Sequence, residues 1–171
     1  MTLKKITTDR LYLIPFTIEI CEELLQGNTA ILSQYGLKPS IDWPDEDMLE
    51  TLPRIITNLE KVTAPSGFES WMIIKKDNDT IIGDIGFKGV PNLGSAVDIG
   101  YGITLKERRK GYASEAIAGL IQWAFNQPSV KLITAQSLLD NTGSAKTLEK
   151  QGFKRTGLLG EFIQWRLVKK K

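Results

Sequence analysis

The sequence contains no histidine and a single cysteine, Cys21. The lack of histidine excludes Ser-His-Asp and Cys-His catalysis, because both use an imidazole as the base. With no histidine and one thiol, the chain also lacks the ligands of every common zinc site, so we expect no metal. One cysteine cannot form an internal disulfide, which favours a reducing, cytoplasmic setting.

Long apolar segments and a strong net charge are also missing. No apolar run approaches the roughly 20 residues that span a bilayer, and the first residues lead into polar sequence, so we expect neither a signal peptide nor a membrane partner. A net charge of +2 gives no reason to expect a nucleic-acid partner. The 171 residues, 42% of them hydrophobic, are predicted to form one domain over residues 1–171.

Hydrophobic periodicity predicts an α+β fold with a mostly antiparallel sheet. Pro53 falls inside one helical pattern and is expected to kink or divide that helix. The strand–helix–strand order over 96–138 predicts a parallel βαβ crossover. The predicted strands cover 8–15, 69–75, 80–88, 96–103, 132–138 and a pair within 153–168. The predicted helices cover 17–25, a short segment within 27–43, 45–62, 111–126 and 142–151.

The most informative segment is Arg108-Arg109-Lys110-Gly111-Tyr112-Ala113-Ser114, between a predicted strand and a predicted helix. A helix N-terminus exposes unpaired N–H groups and about half a positive charge, which attract phosphate. Gly111 and Ala113 let the backbone approach a ligand closely. The segment therefore suits a phosphate-rich ligand, and a solvated basic turn that begins a helix is the alternative. Neither the P-loop pattern nor the Rossmann fingerprint occurs.

This segment resembles the GNAT superfamily of acetyl-coenzyme A-dependent N-acetyltransferases. The hallmark Arg/Gln-x-x-Gly-x-Gly/Ala of that superfamily is matched by Arg108, Gly111 and Ala113. The surrounding segments 99–103, 114–116, 140–144 and 148–153, with 8–13 and 42–44, resemble the branch that includes the ribosomal-protein N-terminal-alanine acetyltransferases. The resemblance covers nearly the whole chain and implies a single-domain GNAT fold with a central sheet of about seven strands and about four helices.

The resemblance also implies acetyl-coenzyme A as co-substrate, with no metal. Backbone groups of the strand ending at Ile103 would pair with the pantetheine arm, and one N–H there would meet the oxyanion. The N–H groups over 109–114 would hold the pyrophosphate. Asn141 corresponds to an asparagine that bonds the cofactor arm, although it also suits a helix N-cap. Lys150 lies near the expected nucleotide end or only complements a helix dipole. The cofactor contacts implied are Tyr101, Ile103, Arg108, Arg109, Lys110, Gly111, Tyr112, Ala113, Ser114, Asn141 and Lys150.

For catalysis, the resemblance implies that Ser144 donates a proton or a hydrogen bond to the leaving sulfur, with a polar residue in a helix's first turn as the alternative. Leu148 stands where many superfamily members carry an acid tyrosine, and Thr156 stands where the branch can carry a glutamate. The base is therefore open among Glu69, Asp98 and water, and we select Glu69 as the candidate.

An acidic cluster over 42–50 either attracts a cationic amine or simply begins a helix. Trp43, within it, either lines the same cleft or belongs to the core. We expect an N-acetyltransferase that acts on a small amine or a protein N-terminus, as a monomer or homodimer. The alternatives are a non-catalytic acyl-coenzyme A-binding module on the same fold and an RNA-binding domain, for which aromatic-studded basic strands are missing.

Overall fold

The computed structural model describes residues 5–171 and contains a nine-stranded sheet. The strands are β1 (Ile6–Thr7), β2 (Leu11–Pro15), β3 (Lys38–Pro39), β4 (Ser70–Lys75), β5 (Thr80–Phe87), β6 (Ala96–Ile103), β7 (Leu132–Leu138), β8 (Lys154–Leu159) and β9 (Phe162–Val168). Their order across the sheet is β1-β2-β4-β5-β6-β7-β9-β8, with β3 also paired to β5. Within the described range, only the β6–β7 and β3–β5 pairs are parallel. The predicted α+β class and the βαβ crossover are confirmed, and the two-residue strands β1 and β3 raise the number of strands above the seven expected.

Four α-helices flank the sheet in the described residues. They are α1 (Ile18–Leu25), α2 (Glu46–Leu59), α3 (Tyr112–Phe125) and α4 (Thr142–Lys150), and short 3₁₀ helices cover Thr29–Tyr35 and Leu105–Glu107. Side chains cap three of the α-helices: Thr17 accepts from the N–H of Ile20, Asp45 from that of Met48, and Asn141 from that of Ser144. The helix α3 instead begins at Gly111, with no side-chain cap. None of the helices within residues 5–171 is both long and apolar enough to cross a bilayer.

The expectation that Pro53 divides its helix is wrong, since the helix α2 is continuous over Glu46–Leu59. Proline removes one backbone donor, but Leu52 and Ile55 are buried on either side of it, and this packing holds the helix together. The first strand was expected to begin at Thr8. Instead a turn at this residue separates β1 from β2, because its N–H donates to the carbonyl of Leu11.

The two faces of the sheet bury separate cores. The α3 face packs Ile85 and Ile99 against Leu120. The opposite face packs Met72 of β4 against residues of α1 and α2, including Leu52. Since side chains alternate along a strand, β2, β4 and β5 contribute to both cores, whereas the buried apolar residues of β6, β7 and β9 belong to the core on the α3 face. Residues on β5 and β6 that face α2 therefore lie on the opposite side of the sheet from α3.

The sheet splits between β6 and β7. Residues 96–99 of β6 pair with 132–135 of β7, and the pairing stops there. Beyond that point, β6 stays paired with β5 up to Ile103, while β7 stays paired with β9 up to Leu138. The strands thus diverge and leave an opening, and the N-terminus of α3 lies at its mouth.

Candidate functional site

A cleft of about 600 Å³ lies where β6 and β7 diverge. Three segments line it: the end of β6, the junction before α3, and the start of α4. The lining residues are 101–103, 107–109, 111–114, 140–144 and 147. Nine of the eleven residues predicted to contact a cofactor are brought together here, with Ser144 beside them.

The junction presents a row of unpaired N–H groups. From Arg109 to Ser114, no backbone N–H donates to an acceptor among residues 5–171, and the first helical bond of α3 is donated by Glu115 to the carbonyl of Gly111. Gly111 has φ +83°, in the left-handed region. Arg109 also adopts a left-handed conformation, with φ +64°. Successive N–H groups in such turns, ahead of a helix N-terminus, form an anion-binding concavity. The arrangement suits phosphate groups.

Arg10, in the turn just before β2, braces this junction. Its Nη1 donates to the carbonyl of Lys110 at 2.9 Å, and its guanidinium lies 4.4 Å from the ring centre of Tyr112. Glu115, in the first turn of α3, accepts from the Arg10 Nε at 2.8 Å and from the hydroxyl of Thr8. Burial raises the pKa of Glu115, but these hydrogen bonds outweigh it and leave the pKa below its usual range. The carboxylate is therefore ionised and holds α3 to the turn between β1 and β2.

The edge of β6 that faces the cleft has free backbone groups. The carbonyl of Asp98 accepts from the N–H of Lys88, just after β5, and the N–H of Thr104 donates to the carbonyl of Ile82 in β5. Because backbone groups alternate in direction along a strand, the N–H and carbonyl of Tyr101 point the other way, into the cleft. The carbonyl of Ile103 accepts from the Arg108 Nε at 2.8 Å. An extended ligand arm can pair with such an edge as an added strand does.

A pair of hydroxyl groups spans the cleft. The Tyr101 hydroxyl lies 2.7 Å from the Ser144 Oγ, which joins β6 to the first turn of α4. Burial raises the pKa of Tyr101, and the hydrogen bond from Ser144 opposes this only in part. The phenol is therefore protonated at neutral pH, and either hydroxyl can donate. Asn141 lines the cleft while its side chain caps α4.

Three predicted site residues do not line this cleft. The Lys110 side chain pairs with Glu107 at 3.1 Å, although its backbone N–H belongs to the row at the junction. Lys150 ends α4, roughly 12 Å along the helix axis from its first residue at 1.5 Å per residue. Glu69 is buried and lines neither this cleft nor the smaller one described below, because its carboxylate accepts from both the N–H and the hydroxyl of Ser66. It braces the turn before β4.

A second, smaller cleft of about 140 Å³ adjoins the first. It lies on the α2 face of the sheet and shares Tyr101 and Gly102 with the larger cleft. Its lining residues are Asp47, Met48, Thr51, Arg54, Ser70, Asp84, Gly86, Phe87, Lys88, Gly100, Tyr101 and Gly102. Asp47 is the one acidic residue of the cluster over 42–50 that lines this smaller cleft. Trp43 is buried in the core against Phe16, not in the cleft.

Asp84 in the small cleft is the titratable residue that sequence reasoning missed. Burial and the nearby charges of Asp45 and Asp47 together raise its pKa to about 7, although Arg54 lowers it. The sequence did contain a signal for Asp84, because this residue is a charge within an otherwise apolar strand. Carboxylates are rarely buried without a function or a partner. Burial also raises the pKa of the Cys21 thiol to about 12, so this cysteine is not a nucleophile.

Comparisons with known proteins agree on one family. Residues 10–154 match the family model described as the acetyltransferase (GNAT) domain. The chain is 37% identical to the uncharacterized N-acetyltransferase YjdG of Bacillus subtilis (strain 168). The alignment spans 163 residues and covers 95% of this chain and 97% of that relative. The resemblance that the junction motif suggested is thereby confirmed.

Solved structures show the same fold. A ribosomal-protein-S5-alanine acetyltransferase from Vibrio fischeri gives a TM-score of 0.69 at 15% identity, covering 98% of this chain and 97% of that chain. The ribosomal L7/L12 alpha-N-protein acetyltransferase RimL, in complex with coenzyme A, gives a TM-score of 0.68 at 18% identity, covering 96% and 98%. At these identities the likeness concerns the fold alone.

Proposed function

The chain belongs to the GNAT acetyltransferase family, and on that premise we propose that it transfers an acetyl group from acetyl-coenzyme A to a primary amine. The observation that carries the proposal is the split between β6 and β7, with six N–H groups at its mouth that have no acceptor among residues 5–171. A free strand edge leading to an anion-binding helix start matches a ligand with an extended amide arm and a pyrophosphate. Coenzyme A has both.

The cofactor is proposed to lie along the larger cleft. The N–H groups of residues 109–114 hold its phosphates, supported by the macrodipole of α3. The free edge of β6 pairs with its pantetheine arm. Asn141 keeps its place at the start of α4, with its side-chain oxygen turned to the helix N-terminus. The fit requires that residue 111 have no side chain, because a Cβ added at Gly111 would lie 3.2 Å from the Arg10 guanidinium.

The thioester end is proposed to lie beside Tyr101. Its N–H, directed into the cleft, is a preorganised donor for the oxygen on which negative charge develops. Its hydroxyl and that of Ser144 form a hydrogen-bonded pair at the same place. Transfer of the acetyl group leaves a thiolate, and this pair supplies the proton that the sulfur takes up. The acceptor is a small amine or a protein N-terminus, and the expected setting is the cytoplasm.

The test is release of free thiol from acetyl-coenzyme A in the presence of amines. The panel comprises small mono- and polyamines, amino acids and short peptides with free N-termini, with mass spectrometry of each product. Thiol release that depends on one amine, together with the acetylated amine, is the expected result. A control without amine measures background hydrolysis of the thioester.

A protein that binds coenzyme A but releases no thiol with any amine would favour the alternative, a non-catalytic acyl-coenzyme A-binding module. This alternative is considered because the Glu69 carboxylate, selected as the base from the sequence, already accepts hydrogen bonds from Ser66. Failure to bind coenzyme A at all would contradict both functions.

A further inference from the structure

The small cleft is placed to meet the large one at the point where chemistry is proposed. Tyr101 and Gly102 line both clefts. Residues 100 and 102 are glycines, and an added Cβ at Gly100 would meet no atom within 4 Å, so the cleft extends over bare backbone there. A group bound in the small cleft therefore lies against the same stretch of β6 that faces the large cleft. About 140 Å³ holds a small molecule or the end of a larger one.

Asp84 lies at the floor of this cleft. It pairs in register with Gly102 on β6, and a Cβ added at Gly102 would lie 3.5 Å from the Asp84 Oδ1. The causes of its raised pKa include no hydrogen bond from any described residue. The carboxylate therefore has its accepting capacity free, directly beside the stretch shared with the large cleft.

The charged groups around Asp84 come from three elements. The helix α2 brings Asp45 and Asp47, which raise the pKa of Asp84, and Arg54, which lowers it. Lys88, which follows β5, lines the cleft but is paired with Asp98 of β6 at 2.6 Å. The strand β4 contributes Ser70 to the lining and no charged side chain. With burial added, the balance raises the pKa of Asp84 to about 7, which suits a group that takes up a proton near neutral pH.

Resting on the acetyltransferase function proposed above, we infer that the small cleft receives the acceptor amine and that Asp84 is the base that accepts its proton. The acceptor class is a primary amine that arrives as an ammonium ion on an unbranched, narrow group. The negative charges on α2 favour a cation at the entrance. Asp84 takes the role that sequence analysis gave to Glu69.

The proton and bond changes balance as follows. One of the three ammonium protons passes to the Asp84 carboxylate and then to solvent, which frees the nitrogen lone pair. The nitrogen bonds to the acetyl carbon, and negative charge develops on the acetyl oxygen near the Tyr101 N–H. The carbonyl double bond then re-forms and the C–S bond breaks, so the sulfur leaves with the electron pair. A second proton leaves the nitrogen to solvent. The sulfur takes a proton from the Tyr101–Ser144 pair, which recovers one from solvent.

The test compares Asp84→Asn with wild type, using the best acceptor found in the amine panel. Loss of a positioned base is expected to lower kcat/KM about 10²-fold or more at pH 7. The wild-type profile of kcat/KM against pH should fall below about pH 7, and Asp84→Asn should lose that limb and gain activity with pH as more of the amine is neutral. The rise in Tm caused by coenzyme A should be the same in both proteins.

Asp47→Asn is the matched variant, since it removes a carboxylate from the same cleft but leaves Asp84. Because Asp47 raises the pKa of Asp84, this variant should keep the acid limb and move it to lower pH. A further readout needs no turnover. The raised pKa of Asp84 makes its ionisation cost stability as pH rises toward 7, so Asp84→Asn should have the higher Tm, by more at pH 8 than at pH 5.

Two results would overturn the inference. The first is an Asp84→Asn protein whose activity and acid limb match those of wild type. The second is an acid limb that Asp47→Asn leaves unmoved while the difference in Tm between Asp84→Asn and wild type is the same at both pH values. A wild-type protein that binds coenzyme A and acetylates no amine would instead overturn the acetyltransferase function, and Asp84 would have no proton to accept.

Discussion

Gly111→Val tests whether the start of α3 binds coenzyme A. A non-glycine residue in the left-handed region costs about 1–2 kcal/mol, and at φ +83° valine must also displace the Arg10 guanidinium, 3.2 Å from the added Cβ. For a chain of this size, 1 kcal/mol corresponds to about 2–4 °C in Tm. The variant should therefore unfold about 2–8 °C lower than wild type without ligand. The larger effect is expected on ligand binding, because the row of N–H groups loses its geometry.

Thermal unfolding with and without coenzyme A measures both effects. A ligand at 100 times its Kd stabilises the folded state by about 2.7 kcal/mol, which corresponds to a rise of about 5–11 °C in wild type. Gly27→Val is the matched control, since Gly27 has φ +80°, follows α1, and an added Cβ there meets nothing within 4 Å. The control should lose a similar amount of Tm but keep the full rise with ligand. A full rise in Gly111→Val would refute the assignment of this junction to the phosphates.

Three further predictions follow from the contacts described. Ser144→Ala should lower kcat about 10²-fold with little change in the Kd of coenzyme A. Adding Tyr101→Phe should lower kcat little further, because the effects of residues that act as a unit are non-additive; steady-state kinetics of the two single variants and the double variant measure the three values of kcat. Glu115→Gln should lower the free energy of unfolding by about 1 kcal/mol at pH 7; since the folded state lowers the pKa of Glu115, denaturant titrations should show this difference vanishing as pH falls below the carboxyl range. Gly100→Ala should raise the KM of the acceptor several-fold and leave the Kd of coenzyme A unchanged, since its methyl group projects into the small cleft; an unchanged acceptor KM would contradict the placement of the amine.

Two parts of the large cleft, the starts of α3 and α4, were predictable because each is local in sequence. Gly111 and the residues after it form one turn and one helix start, so a short motif carries the whole anion-binding arrangement. Asn141 and Ser144 are three residues apart in a helix's first turn, and their spacing alone places them together. The bonding of the Ser144 hydroxyl to Tyr101 needed the structure, since the two residues lie on elements 43 positions apart.

The small cleft was not predictable because its parts meet only through sheet register and helix docking. Asp84 reaches Gly102 through the pairing of β5 with β6, and it reaches Asp47 through the packing of α2 on the sheet. No sequence spacing encodes either distance. Glu69 illustrates the converse, since its place beside a strand looked suitable for catalysis, but the turn before β4 takes up its carboxylate through Ser66.

The two clefts also differ in whether backbone or side-chain atoms form them, and this difference decides how strongly each depends on the amino-acid sequence. The large cleft presents mainly backbone N–H groups and a strand edge, which almost any residue except proline supplies. Its geometry can therefore persist while most side chains change. The small cleft is defined by side chains, among them Asp47, Arg54 and Asp84, so a single substitution changes its charge or its shape. A fold shared at 15% identity thus says nothing about the acceptor, which must be found from the residues of this cleft.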